Sequence, residues 1–288
     1  MTTDSIQATR PRETAPSTDP SRTRLPLVVY VLAVGTFLML TTEFVVAGIL
    51  PEVATDLQIS LAQAGSLITV FAAGMIIGAP LMALLTMRMS KRLTLITAML
   101  IFVAGHIAVA LTSDFAILLG ARFVTAVATG AFWAVSAVVA TRAAGASAGA
   151  RALGVVTAGG ALATVLGVPI GAFIAQAGGW RTTFWALAVA AVIATVLVAR
   201  LVPSDDPNQP VASLRRELGG LRSGRLWLAL LACITTTGGV LAAYSYIAPI
   251  LTDQGGVDAG YVPLVLTGFG IGSFVGTVLG GRYGDRHP

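Results

Sequence analysis

Two charged side chains lie inside long apolar stretches of this sequence, where ionisable residues are rare. Glu43 follows Thr41 and Thr42 and precedes an apolar run, and Arg122 lies in another such stretch. If these stretches cross a membrane, a carboxylate there costs on the order of 3 kcal/mol or more, and reversible protonation of Glu43 is chemically reasonable. A guanidinium stays charged, so Arg122 could hold a carboxylate, orient water or attract an electron-rich substrate without carrying the proton itself.

Both residues also have a simpler interpretation. Pro51 is only eight residues beyond Glu43, so the carboxylate could lie at the membrane surface and reach water. Arg122 could be a structural partner for backbone carbonyls or for Glu43. The residue types alone leave both alternatives open.

A run of small residues and one proline, G-G-A-L-A-T-V-L-G-V-P-I-G at 159–171, predicts a helix with unusual packing. Gly160, Gly167 and Gly171 would let a second helix approach closely. Pro169 removes a helical hydrogen bond and permits a bend. Ordinary packing of small residues is an equally good explanation on physical grounds.

Further candidates are weaker. Arg88, Lys91 and Arg92 form a basic loop that could clamp a closed face against acids, or could simply mark the cytoplasmic side. The side chains of Trp133, Tyr244 and Tyr246 could line a cavity for an amphipathic compound, although packing and interface anchoring are as reasonable. His106 is titratable and could belong to a proton relay, but a histidine in such a stretch is more often satisfied by a neighbouring carbonyl.

Other kinds of site are not supported. The two histidines, His106 and His287, and the single Cys233 lack metal-ligand spacing, so we expect no metal site and no disulfide within the chain. The G-x-x-x-x-G-K-[ST] pattern of a nucleotide-binding loop is absent from the sequence. We therefore expect no cofactor, no enzymatic activity and no nucleic-acid partner.

Composition predicts the elements that position these residues. Hydrophobic residues make up 56% of the 288 residues and charged residues 11%, and the mean hydropathy is +0.85. Continuous apolar runs of about 20 residues indicate membrane-spanning helices. Lipid offers no hydrogen-bond partner to a backbone amide or carbonyl, so a spanning segment must pair these groups within itself. The predicted spans are 26–50, 62–87, 93–112, 115–141, 150–176, 182–202, 226–251 and 261–282.

The positive residues predict the orientation. Sixteen of the 18 Lys and Arg residues fall in the N-terminal tail, in alternate loops or at the end of the chain, which places those segments in the cytoplasm. The polar tail, 1–25, is expected to be disordered and to contain no removable signal peptide. We expect a multi-pass protein of a bacterial inner or plasma membrane, monomeric, with its N-terminus in the cytoplasm.

The chain repeats itself at an offset of 198 residues. The pattern F-x-x-G-x-x-x-G begins at Phe71 and again at Phe269. The prediction is a six-helix bundle at 26–202, a cytoplasmic linker at 203–225 and the first two helices of a second bundle at 226–288. The second copy stops early, which suggests a C-terminally truncated protein. Leu241 replaces Glu43 in the second copy, so the fold itself does not require an acid there.

Four motifs in order resemble those of the major facilitator superfamily, in its drug:proton antiporter branch with twelve spans. They are T-T-E-F-V-V-A-G-I-L-P at 41–51, the segment 78–92, Arg122 with Gly130, and the glycine run at 159–171. The resemblance implies an all-α helical bundle in which Gly160, Gly167, Pro169 and Gly171 form the antiporter motif.

It also implies a gating loop formed by Gly78, Arg88 and Arg92, repeated at Asp285 and Arg286. Met87 stands where the family's loop carries an aspartate, and the second copy keeps that acid as Asp285. A gating ion pair is therefore expected in the second copy only.

The resemblance predicts a proton-coupled antiporter that exports small amphipathic compounds such as chloramphenicol-type drugs. Its partners would be the lipid bilayer, protons and a small-molecule substrate. The alternatives are a sugar or nucleoside effluxer of the same superfamily and a membrane scaffold or sensor that transports nothing.

Overall fold

The computed structural model describes residues 24–85, 89–145, 147–204 and 224–284, and every regular element in these ranges is helical. The long helices are α1 (Leu27–Asp56), α2 (Leu61–Leu85), α3 (Lys91–Leu111), α4 (Phe115–Ala144), α5 (Gly149–Gly178), α6 (Trp180–Leu201), α7 (Gly224–Ser245) and α8 (Val262–Gly284). Within the described ranges, α1 to α7 are long and apolar enough to span a membrane. The eighth predicted span, 261–282, corresponds to α8. The described apolar stretch there, Ala259–Ser273, includes the short 3-10 turn Ala259–Tyr261 and the first part of α8.

Polar caps and glycines define several helix ends. The Ser90 hydroxyl accepts a hydrogen bond from the Leu93 amide at 3.1 Å at the start of α3. The Asp114 carboxylate accepts from the amides of Ala116 and Ile117 at the start of α4. These bonds satisfy amides that have no partner within their own helix. Gly179 has φ of 84°, a left-handed conformation that allows a short turn between α5 and α6.

Two helix boundaries near prolines differ from their predicted places. The first span was expected to end at residue 50, but α1 continues through Pro51 to Asp56. The seventh was expected to run to residue 251, but α7 ends at Ser245 and a short helical segment follows, Ile247–Pro249 and then Ile250–Gln254. The break lies four residues before Pro249, where its ring would clash with the helical carbonyl.

The predicted bend at Pro169 takes the form of a π-helical turn. Within α5, Ala163–Gly167 is π-helical, and an α-helix resumes at Val168. The Val168 amide donates to the Ala163 carbonyl, five residues back. The wider turn places the proline at the start of a new helical stretch, where its missing amide costs little.

The helices alternate in direction and pack around three apolar clusters. We call the two ends of the bundle the Leu27 end and the Asp56 end, after the first and last residues of α1. One cluster, around Phe102 and Phe132, lies nearer the Leu27 end, and a second, around Ile49 and Trp180, nearer the Asp56 end. The third joins α7 and α8 to α1 and α5 through Ala47, Val168, Ala172, Tyr244, Ala248, Val262 and Leu266.

The outward faces remain apolar. Ile76, Val189 and Leu231 are among the large hydrophobic side chains that are more than half exposed. Such faces suit contact with lipid chains, so the hydrophobic surface agrees with a bundle that lies in a membrane. The repeated F-x-x-G-x-x-x-G pattern lies in α2 and again in α8.

Candidate functional site

Arg122 lies in the interior of the bundle. Its side chain is buried on α4, and its Nη1 donates to the carbonyl oxygen of Thr42 at 3.0 Å and to the Thr42 hydroxyl at 3.2 Å. The guanidinium carbon lies 4.1 Å from the centre of the Phe71 ring on α2. A cation over an aromatic face is attracted by the ring's negative face. The carbonyl contact that the sequence left open as an alternative is therefore present.

Glu43 follows Thr42 directly and is half-buried. It interacts electrostatically with Arg122. No hydrogen bond joins them, because Nη1 is bonded to Thr42 while Nε and Nη2 of Arg122 have no hydrogen-bond partner among the described residues. The structure thus brings the two sequence candidates to the same site: Arg122 is bonded to the residue that precedes Glu43, and among the described residues no hydrogen bond or ion pair joins the two charged side chains.

His106 also belongs to this site, which the sequence did not reveal. Its Nδ1 lies 2.7 Å from the Phe102 carbonyl, and its Nε2 lies 2.8 Å from the Thr42 hydroxyl. The neighbouring-carbonyl contact expected for this histidine is present. His106 is linked to the site through Thr42. In the sequence, Thr42 is marked only by its position directly before Glu43.

The glycines of α5 form a close seam with α1. A Cβ atom added at Gly159 would overlap the backbone of Ala33, and one at Gly171 would lie 2.5 Å from a Val45 methyl carbon. Gly160 faces Leu40 and Gly167 faces Thr41 in the same way, with their nearest atoms too close for a side chain. The close helix approach predicted from the glycine run is present in the structure.

This seam yields a stability prediction. We expect Gly159→Ala to destabilise the protein by about 1–3 kcal/mol, because the backbone of Ala33 cannot move aside as a flexible side chain could. Gly154→Ala is the matched control, since it lies on the same helix with open space around it. Thermal unfolding in detergent measures both variants. Equal unfolding midpoints for Gly159→Ala and Gly154→Ala would contradict the close packing of α5 against α1.

The opposite side of α5 packs against α8. A Cβ atom at Gly270 would lie 2.6 Å from Val165 Cα and 2.7 Å from the Thr164 carbonyl oxygen. Nearer the Asp56 end, the Gln176 side-chain amide donates to the Ala259 carbonyl at 2.8 Å. These contacts join the helices after residue 224 to the first six, between the middle of the bundle and its Asp56 end.

The three aromatic candidates lie in different surroundings. Tyr244 is buried, packs edge-on against Phe44 with centroids 5.9 Å apart, and lies 4.7 Å from the Phe269 ring. Tyr246 is partly exposed, and its hydroxyl lies against Gly65 of α2. Trp133 is partly exposed on α4. Tyr244 thus joins α1 to α7 and α8.

Of the predicted gating loop, Gly78 and Arg92 are described. Gly78 is buried against the backbone of Val127 on α4. Arg92 hydrogen-bonds the Ala199 carbonyl and the Ser204 hydroxyl near the end of α6. Arg88, Asp285 and Arg286 lie outside the described residues.

A polar cluster at the Asp56 end was not foreseen. Arg181 forms an ion pair with Asp56 and donates to the Thr112 carbonyl and the Ser113 hydroxyl. Its guanidinium carbon also lies 4.3 Å from the centre of the Trp180 ring. The cluster ties together the end of α1, the α3–α4 loop and the start of α6.

Comparison with known proteins agrees with this architecture. The sequence model of the Major Facilitator Superfamily matches residues 32–288. The chain is 38% identical over 267 residues to a protein named "Chloramphenicol resistance protein" from Streptomyces lividans, covering 92% of this chain and 68% of that protein. It is 34% identical over 271 residues to "Uncharacterized MFS-type transporter YtbD" from Bacillus subtilis (strain 168), covering 94% and 68%.

Solved structures show the same fold. The bacterial homologue of the human lysosomal transporter Spinster, in an inward-facing and unoccupied conformation, matches with a TM-score of 0.71 and 18% identity, covering 95% of this chain and 65% of that one. A D-xylose–proton symporter matches with a TM-score of 0.67 and 18% identity, covering 90% and 69%. With a helical bundle in common and a family match over most of its length, the chain belongs to the major facilitator superfamily of multi-pass membrane transporters.

Proposed function

We propose that this protein is a proton-coupled antiporter that exports small amphipathic compounds of the chloramphenicol type by alternating access. The similarity to the Streptomyces protein supports the substrate class. The observation that carries the coupling is the half-buried Glu43, which interacts electrostatically with the buried Arg122 but is not hydrogen-bonded to it. A carboxylate held in this way can exchange a proton without first breaking an ion pair.

In this proposal the Asp56 end faces the outside of a bacterial cell. The distribution of Lys and Arg supports that orientation, with the N-terminus in the cytoplasm. The contacts of α8 with α5, and of Tyr244 with Phe44, then close the outer side. Protonation of Glu43 from outside would drive the return step after release of the exported compound, while the two halves rock against each other.

The remaining sequence candidates take supporting roles in the proposal. The glycine run of α5 lies between α1 and α8, where it would hold the halves close enough to disfavour leak. The loop residues Gly78, Arg88 and Arg92, with Asp285 and Arg286 in the second copy, would close the cytoplasmic side. The functional unit would be a monomer, with a first bundle at 26–202 and a second that begins at 226.

A competition experiment tests the function. The protein is reconstituted in liposomes, and uptake or release of labelled chloramphenicol is followed with and without a proton gradient. We expect gradient-dependent flux that other apolar drugs inhibit, and that sugars and nucleosides leave unchanged. Flux of sugars or nucleosides, inhibited only by one another, would replace the drug assignment. A complete absence of gradient-dependent flux would reject transport by this chain.

A further inference from the structure

The hydroxyl of Thr42 is bonded differently from its neighbours. Thr41, Thr125 and Thr129 each donate to a carbonyl four residues back in their own helix, which is the usual arrangement for a threonine in a helix. The Thr42 hydroxyl instead lies 2.8 Å from His106 Nε2 on α3 and 3.2 Å from Arg122 Nη1 on α4. Thr42 therefore connects three helices through one oxygen atom.

The hydrogen bonds around His106 determine where its proton lies. Nδ1 is 2.7 Å from the Phe102 carbonyl, which can only accept, so Nδ1 carries a proton. The ring is buried, with the Phe102 ring stacked at 3.9 Å and the Phe184 ring at 5.7 Å. The charged group that acts on His106 is Arg122 from α4, and Glu43 from α1 acts on Arg122 in turn. A second buried cation beside Arg122 would be costly, so a neutral ring with a bare Nε2 is favoured.

An unprotonated Nε2 determines the donor and acceptor roles in the hydrogen bonds of Thr42. The Thr42 hydroxyl donates to Nε2, which leaves the lone pairs of that oxygen to accept from Arg122 Nη1. The donors then point in one direction, from Arg122 to Thr42 and from Thr42 to His106. Because Nη1 is bonded to Thr42, the guanidinium of Arg122 stays in contact with α1 next to the position of Glu43. It is not hydrogen-bonded to the Glu43 carboxylate.

We propose that His106 is a positioning residue of the Glu43–Arg122 site: as a neutral acceptor at Nε2, it orients the Thr42 hydroxyl so that Thr42 holds Arg122 and leaves the Glu43 carboxylate free to exchange its proton. This inference rests on the proposed proton coupling. Without the acceptor at position 106, the Thr42 hydroxyl would turn to a carbonyl of its own helix. Arg122 would then keep only its bond to the Thr42 backbone carbonyl, and its guanidinium would be freer to pair with Glu43.

Nitrogen-15 NMR of the histidine ring tests the hydrogen bonds without any transport assay. The chain has two histidines, so His287→Gln leaves His106 as the single signal. We expect a protonated Nδ1 and an unprotonated Nε2 at neutral pH. Thr42→Val should shift the Nε2 resonance because it removes the donor, whereas Thr129→Val, the matched control, should leave it unchanged. A protonated Nε2, or an Nε2 resonance unaffected by Thr42→Val, would overturn the proposal.

Transport kinetics test the positioning role. His106→Leu should lower kcat for gradient-driven chloramphenicol flux by at least about tenfold, a change of about 1.4 kcal/mol in the barrier, with KM nearly unchanged. His106→Gln should restore much of the rate, since its amide oxygen can accept near the place of Nε2. Wild-type kcat in His106→Leu would overturn the role. If the wild-type protein shows no flux, the proposed function fails, and the NMR experiment still decides the hydrogen bonds.

Discussion

Replacing Glu43 with glutamine is expected to abolish proton coupling while leaving the bundle folded. We expect gradient-driven chloramphenicol export to fall by at least about tenfold, a difference of about 1.4 kcal/mol in the activation barrier. Glutamine has nearly the same shape as glutamate but cannot gain or lose a proton at this site. Because Arg122 is held by Thr42 and not by Glu43, its position should survive the substitution.

Glu52→Gln is the control for this prediction. Glu52 lies on the same helix near the Asp56 end and is also half-buried, but Arg122 is not among the groups that act on it. Its substitution should leave the export rate within about twofold of wild type, because a change away from the charges and hydrogen bonds of the site is usually worth less than about 0.5 kcal/mol. Wild-type export by Glu43→Gln would show that the proton is carried elsewhere.

A second large effect is expected at the contact between α8 and α5. Gly270→Leu would place a side chain where the nearest atoms are the Val165 Cα and the Thr164 carbonyl oxygen, at 2.6 and 2.7 Å from an added Cβ. Backbone atoms on a packed helix cannot turn away, so overpacking should disfavour this contact by about 1–3 kcal/mol. The closed Asp56 end would then open more often, and export should slow.

Cysteine labelling reports this opening directly. The sequence has one cysteine, so a Cys233→Ser background with Ala248→Cys gives a single thiol at a position that is buried in the closed contact. Gly270→Leu should increase the labelling rate at position 248. Gly268→Leu is the matched control, because Gly268 lies on the same helix with open space around it. Equal labelling rates in both variants would contradict the proposed closure.

The sequence was sufficient for the helices because the membrane restricts the choices. An apolar run of about 20 residues that must satisfy its own backbone has little alternative to a helix. The glycine run of α5 was likewise informative, since a helix with several glycines on one face favours close approach. Glu43 and Arg122 were identified by residue type, because charged side chains in apolar spans are costly and are usually paired or functional.

The pairings within the site could not be predicted in the same way. The bond between Thr42 and His106 joins residues 64 positions apart and depends on how α1 and α3 are rotated. In a soluble protein a hydrophobic stripe would reveal that rotation, but helices that are apolar all round carry no such stripe. The contact of Gly270 with α5 was missed for a related reason, since its role depends on the docking of α8. The break before Pro249 and the continuation through Pro51 show that the same residue type acts differently in different packing.

Substrate-induced proton release is the most direct test of whether Glu43 carries the exchanged proton. Purified protein in weakly buffered detergent is mixed with chloramphenicol while a pH indicator reports the protons released. We expect release from the wild-type protein and from Glu52→Gln, and none from Glu43→Gln, although chloramphenicol still binds to all three. Equal proton release from Glu43→Gln and wild type would contradict this role of Glu43.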